Sequence, residues 1–238
     1  HGLFGSAGNW RSVSRALSRR FEVHALDMRN HGASPHDDAM TYADMANDIL
    51  YYLDDNLCET PSVIGHSMGG KAAMHLALAH GDRISKLIVV DVAPVPNHQG
   101  YEHILTAMGS VDIHRARQRN EVDRALADLL PDNALRQFLL QNLVRGNGGY
   151  RWRLNLQALR TNMDAILDFP LPPIWQAYEK PTLFIRGERS SYVRSTHNET
   201  IKMLFPNADI VTIADAGHWV HAEQTQPFLN RVGSFLEG

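Results

Sequence analysis

One cysteine, Cys58, stands among the 238 residues of this chain. An internal disulfide framework is therefore excluded, and a reducing compartment suits the composition. Long hydrophobic runs are missing too: none approaches the roughly 18 residues that suggest a membrane span. Neither sign of charge dominates, since 23 Lys and Arg against 26 Asp and Glu leave a formal net charge of −3. That balance gives no reason to expect nucleic acid or an acidic membrane as partner. Internal repeats and low-complexity stretches are absent, which sets aside a repeat architecture. What remains, 44% hydrophobic and 21% charged, is the make-up of a globular protein long enough for one sizeable core with an insertion. A cytoplasmic setting is expected, with Cys58 a small residue near a helix end rather than a nucleophile.

Against that plain background one segment is informative, Gly65-His66-Ser67-Met68-Gly69. Pro61 to Ile64 reads as the end of a buried strand, and Lys71 to His80 as a helix stopped by Gly81. G-x-S-x-G between strand and helix is a nucleophile elbow, a turn so sharp that only glycine fits beside the serine. It lifts the Ser67 hydroxyl clear of the backbone, at a helix N-terminus whose dipole favours negative charge. The context predicts a serine hydrolase. A serine hydroxyl is a poor nucleophile near neutral pH, so it needs a base and a group orienting that base. The developing oxyanion needs two preorganised N–H donors, and Met68, next after the serine, supplies one.

The rest of the chain alternates strands and helices. Strands are predicted over Phe21–Met28, Lys86–Val92, Pro181–Gly187 and Asp209–Ala214. Helices are predicted over Asn9–Arg20, Thr41–Leu57, Thr196–Leu204 and Gln226–Leu236, with Tyr42, Met45, Ile49 and Leu53 on one face of the second. Such alternation implies an α/β fold, a mostly parallel sheet flanked by helices. Pro94 to Lys180 breaks the rhythm with no convincing strand, and reads as helices Tyr101–Met108, Arg115–Leu130, Asp132–Val144 and Leu154–Leu167. The predicted organisation is a core of residues 1–93 and 181–238 with an inserted helical unit at 94–180.

Four segments carry a family resemblance: GHSMGG at Gly65–Gly70, HGLFGS at His1–Ser6, DMRNHG at Asp27–Gly32 and GHWVHAE at Gly217–Glu223. They resemble the α/β-hydrolase superfamily, and within it the small bacterial esterases of the YbfF type. The likeness spans almost the whole chain, tight in the motifs and loose between Pro94 and Lys180. It implies that the insertion is a helical cap over the nucleophile, and that the triad runs in the order nucleophile, acid, histidine. His218 is then the base, with His66 and His221 as packing or surface residues. The usual superfamily acid follows the penultimate strand as G-x-x-D, but here Gly187-Glu188-Arg189-Ser190 has serine in that place. YbfF-type esterases carry the acid one strand after the nucleophile, so the resemblance assigns Asp91, with Ser190 assisting. Glu188 is the rival acid, and Asp215 lies too near His218 in sequence to reach its far nitrogen comfortably. The second oxyanion donor is implied in the His1–Gly5 loop, at Leu3, or at Phe4 if the loop turns one residue later. His1 is expected to brace that loop, Arg29 to pair with a carboxylate, and Lys71 to be solvated. In the superfamily a buried strand leads into the HG-x-x-G loop, whereas this chain begins at His1 inside it. A fragment, or numbering that begins mid-protein, is the expectation, and poor stability if the chain stands alone.

The expected activity is hydrolysis of carboxylic esters, including acyl thioesters such as acyl-CoA, through an acyl-enzyme, with no metal or organic cofactor. The partner is a small-molecule ester or thioester; oligomeric state is not encoded in these motifs. Phe4, Trp219, Trp152, Met108 and Phe138, with Leu105 and Leu139, line an acyl pocket or else are plain core. Arg115, Arg117 and Arg119 either hold the phosphates of an acyl-CoA or form a solvated face. Three rival functions use the same scaffold. A C–C or C–O lyase of menaquinone-pathway type usually keeps the aspartate that Ser190 replaces. A hydrolase-derived ligand receptor would bind tightly with negligible turnover. A perhydrolase side activity would oxidise halide in the presence of peroxide and acetate.

Overall fold

A strand buried on both faces needs apolar residues at every position, and KLIVV and TLFIRG nearly supply them. A computed structural model describes residues 1–97, 100–146 and 148–238. Helices α1 (Arg11–Leu17) and α2 (Tyr42–Asp55) precede strand β1 (Ser62–His66), helix α3 (Met68–Ala79) and strand β2 (Lys86–Val90). Next come α4 (Glu102–Ser110), α5 (Arg119–Ala127), α6 (Asn133–Leu139), strands β3 (Leu143–Gly146) and β4 (Gly149–Trp152), α7 (Leu156–Thr161) and α8 (Met163–Leu167). The chain closes with β5 (Thr182–Gly187), α9 (Asn198–Leu204), β6 (Ala208–Ile213), α10 (Val220–Glu223) and α11 (Thr225–Glu237).

Four parallel strands stand in the order β1-β2-β5-β6. Successive side chains of β2 leave to opposite faces. Leu87 and Val89 join an apolar cluster with α2, α3 and the inserted helices; Ile88 and Val90 join one with Trp10, Leu17, Phe228 and Val232. The inserted segment thus shares its hydrophobic core with the α2–α3 face of the sheet. Helix α2 starts where Thr41 Oγ1 accepts the Asp44 N–H and the Asp44 carboxylate accepts the Thr41 N–H, a capping box.

Several elements differ from the sequence-based expectation. Phe21–Met28 forms no strand. Its alternating pattern suits one, yet an extended segment becomes a strand only when a neighbour takes its hydrogen bonds, and β1 does not. Among the described residues β1 pairs on one side only, with β2. A slot of about 340 Å³ separates the two, lined by Val23, Leu26, Met28, Val63 and Ile64. The insertion is not wholly helical: Leu143–Gly146 and Gly149–Trp152 pair as an antiparallel ribbon. Each arm is four residues, too short for alternation to declare itself. The expected Arg115–Leu130 helix begins only at Arg119, and Leu154–Leu167 divides into two helices at Asn162. No helix among the described residues is long and apolar enough to cross a membrane.

Candidate active site

The turn from β1 into α3 forces Ser67 to φ 52°, ψ −118°, a conformation that neighbouring backbone must hold. Its glycines are steric necessities: a Cβ on Gly65 would lie 2.2 Å from the Gly69 carbonyl oxygen, and one on Gly69 2.6 Å from that of His1. Ser67 N–H donates to the Val90 carbonyl at 3.0 Å, tying the elbow to the end of β2.

Asp91 is the next residue of that strand end, fully buried and left-handed at φ 51°. Its Oδ1 accepts the Gly187 N–H at 3.0 Å, and its Oδ2 accepts from the Ser190 hydroxyl and, at 2.7 Å, from His218 Nδ1. An ionised carboxylate only accepts, so Nδ1 carries the proton and Nε2 presents its lone pair. Asp91, Ser190 and His218 are therefore one hydrogen-bonded chain. Glu188 lies elsewhere, accepting the Asp215 N–H at 3.0 Å. Among the described residues no hydrogen bond joins Ser67 to His218; its neighbour His66 meets the His218 ring at 4.7 Å between centroids. In the absence of substrate such catalytic hydrogen bonds are often long.

At the elbow, the N–H groups of Leu3 and of Met68, at the start of α3, make no internal hydrogen bond among the described residues. Phe4 is not a second candidate, because its N–H donates to His31 Nε2 at 3.2 Å. The loops are cross-braced by two imidazoles. His1 Nε2 accepts the Met28 N–H at 2.9 Å, as His31 Nε2 accepts that of Phe4.

Burial drives nearby imidazoles out of their ordinary titration range. Desolvation lowers His31 to about 4 and His221 to about 3, and takes His66 well below the usual histidine value. These rings stay neutral near pH 7. His66 Nε2–H donates to the His218 carbonyl at 2.9 Å, so it touches the base loop directly. The residue expected to be packing or surface thus ties the turn of Ser67 to the loop of His218. Tyr192 stacks on the His218 ring at 3.9 Å and 16°, and its hydroxyl bonds that of Tyr101 at 2.6 Å. No local pattern could reveal either contact, since each is made across the sheet edge.

The expected pocket residues divide. Phe138 packs on Trp219 at 5.7 Å, Trp219 neighbours His218 at 6.2 Å, and Phe4 meets the Tyr101 ring at 6.0 Å. Met108 is fully buried within the insertion, and Trp152 Nε1–H donates to the Met108 carbonyl. Those two serve the insertion's own packing. Arg29 binds both oxygens of Asp48, at 2.6 and 2.7 Å. Lys71 is buried rather than solvated, donating to the Leu167 and Asp168 carbonyls at 2.8 Å each. Arg115 is 90% exposed beside Asp112, the solvated alternative for that basic run.

The sequence pattern of the α/β hydrolase fold matches residues 1–225. The sn-1-specific diacylglycerol lipase ABHD11 of Xenopus laevis is 41% identical over 245 positions, covering 100% of this chain and 78% of the relative. Esterase YbfF of Escherichia coli K12 is 37% identical, over 99% of this chain and 91% of its own. The solved structure of a marine microorganism esterase superposes with a TM-score of 0.95 at 38% identity, covering 99% of this chain and 92% of that one. By fold, motif and kinship, the chain belongs to the α/β-hydrolase family.

Proposed function

We propose that this carboxylic ester hydrolase works through an acyl-enzyme on Ser67. His218 Nε2 takes the hydroxyl proton as Oγ attacks the ester carbon, and Asp91 stabilises the imidazolium that forms. The Leu3 and Met68 N–H groups hold the tetrahedral oxyanion. Collapse expels the alcohol, which leaves with the proton from Nε2, and water repeats the sequence to release the acid. Ser190 occupies a second lone pair of the oxygen that faces His218, so the carboxylate cannot rotate away. The observation that carries this reading is the fully buried Asp91 with one oxygen shared between His218 and Ser190.

Residues 94–180 then act as a cap on a core of 1–93 and 181–238. Three contacts support that role: Phe138 on Trp219, Tyr101 to Tyr192, and Asn142 Nδ2 to the Phe4 carbonyl at 2.7 Å. Phe4, Phe138 and Trp219 offer an apolar rim for the acyl group. The relatives named esterase and diacylglycerol lipase favour a carboxylic ester as substrate. Acyl thioesters fit the same steps, because a thiolate leaves more readily than an alkoxide.

Ser67→Ala is the direct test, assayed on p-nitrophenyl acetate and butyrate. Activity should fall at least about 10³-fold, as loss of a nucleophile does in other serine hydrolases. Wild-type turnover by the variant would discard the assignment. A burst of p-nitrophenol equal to the enzyme concentration separates an acyl-enzyme from a lyase, and sustained turnover separates it from a ligand receptor.

A further inference from the structure

A non-glycine residue keeps a left-handed φ only when its surroundings hold it there. Phe4 sits at φ 61° in a turn closed by the Gly5 N–H on the Gly2 carbonyl at 2.9 Å. Left-handed φ at the third position of such a turn is the requirement of type II, where glycine is the usual occupant. Two side chains clamp the phenylalanine instead. On the core side His31, fully buried, accepts its N–H through Nε2 while its own Nδ1–H donates to the Arg29 carbonyl at 2.9 Å. On the insertion side Asn142, also buried, donates from Nδ2 to its carbonyl at 2.7 Å. The Arg153 N–H in turn bonds the Asn142 carbonyl at 2.9 Å, fixing that residue within the insertion.

The preceding peptide unit is fixed as well. The Gly2 carbonyl accepts from the Gly5 N–H and from His1 Nδ1–H, both at 2.9 Å. In a trans peptide the carbonyl and the next N–H point opposite ways. The Leu3 N–H is therefore turned away from the turn's interior. An unclamped Phe4 would relax toward an ordinary negative φ, carrying Leu3 with it.

We infer that His31 and Asn142 are positioning residues for the oxyanion hole, and that Asn142 makes its assembly depend on how the insertion is seated. This rests on the acyl-enzyme reading and deepens it: the second hole donor is a backbone group whose aim is set from two sides, one of them the cap. Both side chains are buried and act through the Phe4 backbone.

The test compares His31→Leu and Asn142→Leu with His31→Gln, whose Oε1 can accept the Phe4 N–H. Each leucine variant should lower kcat/KM on p-nitrophenyl butyrate about 10- to 100-fold, below the cost of deleting a donor outright, through kcat with KM little changed. A trifluoromethyl ketone adds to Ser67 Oγ, passing its proton to His218 and leaving an oxyanion in the hole. Its affinity should fall by the same factor, and His31→Gln should recover most of both losses. If His31→Leu does not fold, as a melting curve would show, Asn142→Leu decides alone. Leucine variants within twofold of wild type would overturn the inference, as would a fall in kcat with unchanged ketone affinity. Failure of the acyl-enzyme reading would appear in the wild type and Ser67→Ala, before any of these variants is made.

Discussion

A carboxylate removed from water costs several kcal/mol unless donors replace the lost hydration. Asp91 has three, from Gly187, Ser190 and His218, and in the proposed mechanism only the His218 bond links it to the base. Asp91→Asn should therefore lower kcat on p-nitrophenyl butyrate by about 10³- to 10⁴-fold, since an amide favours the wrong imidazole tautomer. Glu188→Gln should stay within about threefold, and the reverse order would show Glu188 to be the acid. Buried neutral histidines set a second prediction at this scale. His31 binds its proton at about 4 when folded against an ordinary 6.5, so the unfolded chain holds more protons between those values. Stability must then fall as pH drops from 6.5 toward 4, by about 1.4 kcal/mol per pH unit for each such histidine. Urea midpoints measured across that window check the sign, and a midpoint that rises on acidification would refute it. His66 and His221 add in the same direction.

At the scale of elements, the legible ones were those whose cause is local. Helix α2 announces itself by Thr41, Asp44 and a stripe of Tyr42, Met45, Ile49 and Leu53, all of which are buried. The elbow does so through glycines that no other residue can replace. Phe21–Met28 carries the alternation of a strand, yet a ladder needs a partner that the segment's own residues do not specify. The β3–β4 ribbon was missed for the opposite reason, being ordered by pairing and too short to show a period. Lys71 ties α3 to the end of α8, where its ammonium donates to the Leu167 carbonyl, which also accepts the Asn97 N–H, and to the Asp168 carbonyl. Lys71→Met should cost about 2 kcal/mol in urea unfolding, the order expected for hydrogen bonds from a charged donor. A change under about 0.5 kcal/mol would mean that water serves those carbonyls equally well.

For the molecule as a whole, the sheet is unevenly protected. Strands β2 and β5 are paired on both sides, whereas β1, which carries Ser67 at its end, is paired only with β2 among the described residues. Hydrogen exchange of the 238-residue chain should release β1 amides at least about tenfold faster than those of β2 and β5, following local opening. Equal protection across the three strands would contradict this. Sequence alone determined the elbow around Ser67 and the α/β layering, because each depends on residue types within a few positions of one another. Tertiary structure supplied what spacing cannot: the hydrogen bond of Asp91 to His218 Nδ1, and the bracing contacts of His1, His31 and His66. Asp91 and His218 are 127 residues apart and Ser190 and Asp91 are 99, and spacing carries no information about which strand ends share an edge. That choice is made when the strands pair in parallel and their carboxyl ends converge.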